Sequence, residues 1–386
     1  MGSEWPRARL GDVAAIVMGQ SPPGDTYNDD GVGAALVNGP AQFGTRTPVA
    51  TKWTTAPTKV SRPGDVVFCV RGSTTGRMVR ADGDYCLGRG VASIRGDTTV
   101  DSDFVYYALQ ADLGRLLQQA TGSTFPNLSS RTLDRFDLPW PETPVRHAIA
   151  EVLGALDGRI EWCDAGTSLA HALAQSVAEQ LEADGTVRLR DVADIRRSTI
   201  SATKLQGHRW THYSIPAFDD GQQPLVEAGS EIRSGKFSVP PDSVLVSKLN
   251  PTWPRVWLPA AEDDPPAICS TELMPVVPRS SSVATTAALW AALLTPSFNR
   301  QLRERVQGST GSHQRVRPED MLACRVMDPA ALTANTGLML ASLAARVLEL
   351  RVERRSLVSS RDALLPRLLS GEVRIEDPAR VLGAVA

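Results

Sequence analysis

Between Pro144 and Gly185 the chain runs without proline, and Ile149, Leu153, Leu156, Ile160 and Cys163 recur at spacings of 4, 3, 4 and 3. That is the apolar stripe of a helix packing along one seam. Leu169, Leu173 and Val177 carry the seam onward after a phase shift near Gly166, and Gly185 stops it. About 40 helical residues span roughly 60 Å, more than most globular domains need, so the pattern predicts a long rod. A second stripe lies at 334–370, where Leu343, Val347, Leu350, Arg354, Leu357, Arg361, Leu364 and Leu368 alternate by 4 and 3. Arg354 and Arg361 fall on the seam, where they must snorkel, pair across it or mark a docking side. Two rods with matched heptads predict an antiparallel pair.

The flanking segments are patterned differently. "DVAAIVMG", "GDVVFCVRG" and "GVASIRG" are short β-branched runs, punctuated by "SPPGD", "NDDG" and "RPGD". "DSDFVYYALQADLGRLLQQA" follows with an Asp cap and helical spacing, which predicts a helix of about 18 residues. The second half repeats the plan with strand-like "SVLVSKL" and "ELMPVV" and a helix over "ATTAALWAALLTPSFNRQLRERV".

Some of the repetition is literal. "RLGDVAAI" at Arg9 returns as "RLRDVADI" at Arg188 with six of eight positions identical, and the Gly-Ser-Thr of "QQATGSTFPNLSS" returns in "ERVQGSTGSHQRV". Both signals keep their order, so the fold is built twice. A third partial copy, "GEVRIED" at Gly371 after "GTVRLRD" at Gly185, places the chain's end where another repeat would begin and predicts a ring-like closure. The fold class expected is α+β: mixed α/β domains at 1–143 and 185–330, long antiparallel helices at 144–184 and 331–371, and a tail at 372–386 returning toward the first domain.

At 386 residues, with 42% hydrophobic and 22% charged residues, the chain has the composition of a soluble protein with several cores. No stretch approaches the roughly 18 apolar residues of a membrane span, and the N-terminus lacks a signal peptide's apolar core, so the expected location is cytoplasmic, with no membrane partner. Cys69, Cys86, Cys163, Cys269 and Cys324 are odd in number and form no C-x-x-C pair, which suits buried reduced thiols. His208 and His212 could share a helix face, but no ligand is spaced to complete a metal site.

The net charge of −2 argues against bulk coating of nucleic acid but not against a local basic groove. Only five of the 41 cations are lysine. Arginine suits bidentate contacts to phosphate and guanine, and high-GC coding bias gives the same enrichment.

Catalytic signatures are sparse. G-x-S-x-G, G-x-x-x-x-G-K-[ST] and H-E-x-x-H are all missing from the sequence. "DDPPA" at Asp263 approaches the Asp-Pro-Pro-aromatic signature of amino-methyltransferases, but an alanine stands where the aromatic is required. What remains is a set of polar, arginine-bearing loops on two small domains: "RGSTTGR" at Arg71 and "KLNPTWPR" at Lys248, with the two Gly-Ser-Thr turns and their neighbours "FPNLSSR" and "GSHQR". Such groups suit phosphate positioning and base-edge readout.

With those residues in view, the sequence resembles the specificity subunit of a type I restriction-modification system over nearly its whole length. "RLGDVAAIVMGQSP", "GDVVFCVRGSTTGR", "ATGSTFPNLSSRTLDRFDLPWPETPVRHAIAEVLGALDGRI" and "RDALLPRLLSGEVRI" carry the resemblance. His147 departs from the usual glutamine, and "LACRVMDPAAL" replaces the usual proline-rich step. The resemblance implies two target recognition domains that each read half of a split sequence in double-stranded DNA, with helices that set the gap and bind methyltransferase subunits. It implies no catalytic residue and no cofactor in this chain; S-adenosylmethionine, ATP and Mg belong to methyltransferase and restriction/translocase partners. The expected DNA contacts are Arg71, Ser73, Thr74, Arg77, Ser123, Thr124 and Asn127 for one half-site. For the other they are Lys248, Asn250, Arg255, Ser309, Thr310 and Gln314. Two other readings stay open, a two-headed protein-binding scaffold and the DNA reader of another methylation-based defence complex. Steep salt dependence of DNA affinity separates a DNA reader from a scaffold.

Overall fold

A computed structural model of the chain describes residues 5–121, 126–260, 265–280, 282–307 and 314–375. It divides into two compact units, one made of residues 1–158 with 357–386, the other of residues 159–356.

In the first unit, Arg7–Arg9 pairs antiparallel with Asp137–Pro139, and the one-turn helix Leu10–Val13 leads into Ala14–Met18. That strand opens a four-stranded sheet followed in order by Val91–Gly96, Val66–Cys69 and Met78–Arg80. The second unit repeats each step. Thr186–Arg188 pairs with Arg325–Met327, the turn Leu189–Val192 follows, and Ala193–Ile195, Leu273–Pro278, Val244–Ser247 and Val256–Trp257 line up in the same order. Even the register is kept: Val66 faces Ile94 as Val244 faces Val276, and Val67 faces Val79 as Leu245 faces Trp257. A one-residue slip would turn every side chain to the wrong face, so a shared register means a shared core plan. The remaining sheets differ, with four short strands in the first unit and five in the second.

Two expected helices are each split. The first runs Thr99–Ala111 and resumes at Leu113–Leu117; its cap is Thr98, whose hydroxyl accepts from the Asp101 amide at 3.1 Å. The break falls at Asp112, a residue type that favours helix ends, and its carboxylate takes bonds from Arg115 at 2.6 Å and Arg7 at 3.1 Å. The other runs Val283–Leu293 and resumes as Pro296–Glu304, because Pro296 has no amide hydrogen to continue a helix and fits the first turn of a new one. His208 and His212 do not share a helix face. His208 precedes the strand Arg209–Tyr213 that contains His212, and His212 Nδ1 lies 2.5 Å from Glu227 Oε2.

The long helices run Thr143–Asp184 and Ala334–Ser370. In the first unit the seam residues Ile149, Leu153 and Leu156 are buried, as are Leu357 and Leu368. In the second, Ile160, Cys163, Val347 and Leu350 are buried. The two seam arginines pair across the helices: Arg361 with Asp157 at 3.1 Å in the first unit, Arg354 with Asp164 at 2.6 Å in the second.

Beyond Gly166 the expected seam is wrong by one position. Leu169 and Leu173 are exposed, and Ala170, Ala174 and Ala178 are buried. Leu350 occupies the space beside Gly166, where an added Cβ would stand 2.9 Å from its methyl carbon. At so close an approach small residues fill the seam and leucines are turned outward.

Trp5 Nε1 donates to the Leu368 carbonyl at 2.9 Å and the Arg374 guanidinium lies 5.3 Å from the Trp5 ring, so both ends of the described chain close together in the first unit. Gly371–Ile375 form a turn and bends there, not the strand made by Thr186–Arg188, and 376–377 lie outside the described residues. All five cysteines are buried and free, and burial pushes the Cys269 thiol up to about 12. Among the described residues no helix is long and apolar enough to cross a membrane.

One buried imidazole makes the second unit sensitive to acid. His171 packs edge-on to Trp290 at 5.5 Å, and its Nε2 has no hydrogen-bond partner among the described residues. Burial, with the Arg351 charge adding to it, pushes His171 down to about 4. The unfolded chain takes up this proton near pH 6.5 and the fold only near 4, so the stability is fully present above 6.5 and drains away as the pH falls through that window. The expected loss is on the order of 3 kcal/mol at 1.36 kcal/mol per pKa unit. Urea unfolding followed at pH 7.5, 6 and 5 should show it, and His171→Leu should flatten the dependence.

Candidate nucleic-acid interface

The strand Val66–Cys69 delivers the "RGSTTGR" turn, and Val244–Ser247 delivers "LNPTWPR". The two turns are the same structure. Gly72 takes φ +99° and Asn250, its counterpart, φ +47°, both in the left-handed region that glycine and asparagine tolerate best. The Thr75 amide donates to the Gly72 carbonyl at 3.2 Å as the Trp253 amide donates to Asn250 at 3.1 Å. The Cys69 amide donates to Arg77 at 2.8 Å as Ser247 donates to Arg255 at 3.0 Å. The side chains at the strand ends also correspond: Cys69 Sγ reaches the Arg71 carbonyl at 3.4 Å, and Ser247 Oγ reaches that of Leu249 at 3.1 Å.

Each turn is stitched to the segment beyond its Gly-Ser-Thr sequence. In the first unit Arg71 and Thr121 both bridge to Asn127, and the Leu128 amide donates to the Val70 carbonyl at 2.9 Å. In the second unit Leu249 and Gln307 both bridge to Arg315, and the Val316 amide donates to Lys248 at 2.9 Å. The fold therefore brings Arg71 and Asn127 together, with Arg71 Nε 3.5 Å from Asn127 Oδ1, and joins Asn250 to Gln314 through a 2.9 Å backbone bond. Ser73, Thr74 and Arg77 stand exposed on the first turn. Ser123, Thr124, Ser309 and Thr310 lie outside the described residues, as do Asp263 and Asp264 of "DDPPA".

The polar groups of the two turns are engaged differently. Thr75 Oγ1 lies 2.7 Å from the Gly72 carbonyl and 2.9 Å from that of Pro126, so one hydroxyl braces the first turn from within. In the second turn Arg255 is turned back on the protein: Nε and one terminal nitrogen meet Asp219 at 2.6 and 2.8 Å, a bidentate pair that fixes the turn. Lys248 and Arg315 approach one carboxylate, Glu272, at 3.9 and 3.1 Å. Arg315 and Trp253 were not among the residues singled out from the sequence. Both sit inside stretches that sequence reading marked, and only the residue-by-residue match of the two turns picks them out.

The result is a pair of matched turns, each with a left-handed residue at its second position: the first presents the exposed side chains of Arg71, Ser73, Thr74 and Arg77, the second those of Thr252 and Trp253. Arginine, hydroxyl and amide side chains of this kind suit phosphate positioning and base-edge readout.

Residues 2–163 match the family of the type I restriction modification DNA specificity domain. Over 161 residues the chain is 33% identical to a protein named as the MjaX type I restriction enzyme specificity subunit of Methanocaldococcus jannaschii, a stretch that covers 41% of this chain and 38% of that relative. In fold it is similar to the crystal structure of a type I restriction-modification system S subunit from M. genitalium, with a TM-score of 0.62 over 95% of this chain and 96% of the other at 15% identity.

Proposed function

We infer that this chain, whose residues 2–163 match the type I restriction modification DNA specificity family, is the non-catalytic DNA-reading subunit of a methylation-based complex and reads a split, two-part target. One observation carries the reading: the same braced turn is built twice, on two sheets of identical strand order and register. Two copies of one reading surface call for two half-sites, and different side chains on them call for different half-sites.

A second feature supports partner docking. On the long helices of the second unit Trp162, Leu169 and Leu173 are exposed at spacings of 7 and 4, with Leu338 and Val352 exposed on the other helix. Aligned apolar residues left in water on a helix face mark a protein contact. Methyltransferase subunits are the partners proposed for it, and restriction/translocase subunits join through them; S-adenosylmethionine, ATP and Mg are then bound by those partners.

Co-expressing the chain with the methyltransferase subunit encoded beside it, and mapping methylated adenines by single-molecule sequencing, tests the reading. The expected result is a split motif with a fixed unspecified gap, and exchange of residues 1–143 for those of a relative should alter only one half of it. A continuous motif that both halves of the chain leave unchanged, or a stable complex that methylates nothing, would overturn it.

A further inference from the structure

The two matched turns differ most at one position. Thr75 in the first is folded inward, its hydroxyl on two carbonyls of its own surroundings. The same position in the second is Trp253, whose indole is 64% exposed. Among the described residues no ring or cation stacks on it.

This indole is held out on purpose-built backbone. Pro254 follows it directly and Pro251 stands two residues before it, each with φ fixed by its ring. The Trp253 amide closes the turn on Asn250, and the Arg255 guanidinium, itself clamped by Asp219, donates to the Trp253 carbonyl at 3.4 Å. The Asn250 amide ties the turn to Gln314. A large aromatic on a rigid turn loses little conformational freedom on binding and brings a large apolar surface, which is why such residues anchor recognition surfaces.

Resting on the reading of the chain as a DNA-reading subunit, we propose that Trp253 is the apolar base contact of the second half-site: its indole packs on a nucleobase of double-stranded DNA, while Asn250, Gln314 and Lys248 beside it supply polar contacts. A nucleobase is favoured over a protein partner because the equivalent turn of the family-matched first unit presents Arg71, Ser73, Thr74 and Arg77, groups suited to phosphates and base edges. The second turn thus replaces a polar edge reader by a flat apolar one at the same place. The indole would serve as a stacking platform or as a wedge at a base step; both use the same surface.

The test uses the complex of the full chain with its methyltransferase subunit and a duplex carrying the motif that the unsubstituted complex methylates. Trp253→Ala should weaken binding of that duplex roughly tenfold, the scale of losing one base contact. In cells it should relax or abolish the second half of the motif while the first half stays. Trp253→Phe should keep most of the affinity, and both variants should melt and assemble as the unsubstituted complex does, since the indole is mostly in solvent. A Trp253→Ala complex that binds within twofold and methylates the same split motif overturns this assignment and leaves the two-reader function standing. So does a variant that loses the methyltransferase subunit, because the indole would then be a protein contact. No split motif from the unsubstituted complex overturns the function and this inference together.

Discussion

Replacing Asp157 by alanine should destabilise the first unit by about 3 kcal/mol, the scale of breaking a buried charged hydrogen-bond network by removing its shared member. Asp157 sits on the first long helix within the first unit, 6% exposed, and accepts from the Tyr107 hydroxyl at 2.8 Å and from Arg361 at 3.1 Å. The three residues come from three helices, so one carboxylate ties the helix Thr99–Ala111 to both long helices. Truncation strands a buried phenol and half of a guanidinium. Arg361 keeps Asp362, which is why the expected cost stays at the lower end of the range. Asp157→Asn retains an acceptor for Tyr107 and should cost less than half as much. Hydrogen exchange of the full chain reads both, as faster exchange of 99–111 and 357–368 with the second unit unchanged; protection equal to the unsubstituted protein in the alanine variant would show that the carboxylate is dispensable. Burial, and then the Asp157 charge, hold the Tyr107 phenol above its ordinary range, so the contact itself persists to high pH, while stability falls only above pH 10 as the unfolded phenol ionises.

The sequence reveals the long helices because a 4, 3 alternation of large apolar residues has no other good use, and it placed one of them at 144–184 where the helix Thr143–Asp184 stands. The same rule misled beyond Gly166. It ranks residues by size, and there the seam is narrow: Ala170, Ala174 and Ala178 fit beneath the opposing helix and Leu169 and Leu173 do not. Splitting of the two shorter helices rests on Asp112 and Pro296, both visible in the sequence but outvoted by the apolar periodicity around them. The candidate interface is legible in the sequence as composition, since both arginine-bearing loops stand out there. Its residue register is not, because "RGSTTGR" and "LNPTWPR" share only a threonine and the final arginine. What they share physically is a left-handed residue, Gly72 or Asn250, at the second position, and two unlike letters can meet that one backbone demand.

The same conserved register predicts the outcome of a more severe change, Asp65→Ala. Asp65 is fully buried at the start of the strand Val66–Cys69 and receives Arg95 at 2.5 and 2.7 Å, the Arg62 amide at 2.9 Å and the Ser93 hydroxyl. Removing it leaves three donors turned toward an empty acceptor site, and a loss of about 3 to 5 kcal/mol is expected. The second unit shows how the fold does without this network. At the positions equivalent to Asp65, Ser93 and Arg95 it carries Ser243, Pro275 and Val277, with Ser243 Oγ satisfied locally by the Pro240 carbonyl at 2.7 Å. No charge is buried there, so none is orphaned. The double substitution Asp65→Ser with Arg95→Val should therefore cost less than Asp65→Ser alone, a coupling of at least about 1 kcal/mol in the double-mutant cycle. Urea unfolding of the four chains measures it. Additive costs would mean that Asp65 contributes through the Arg62 amide and the Ser93 hydroxyl and not through the ion pair.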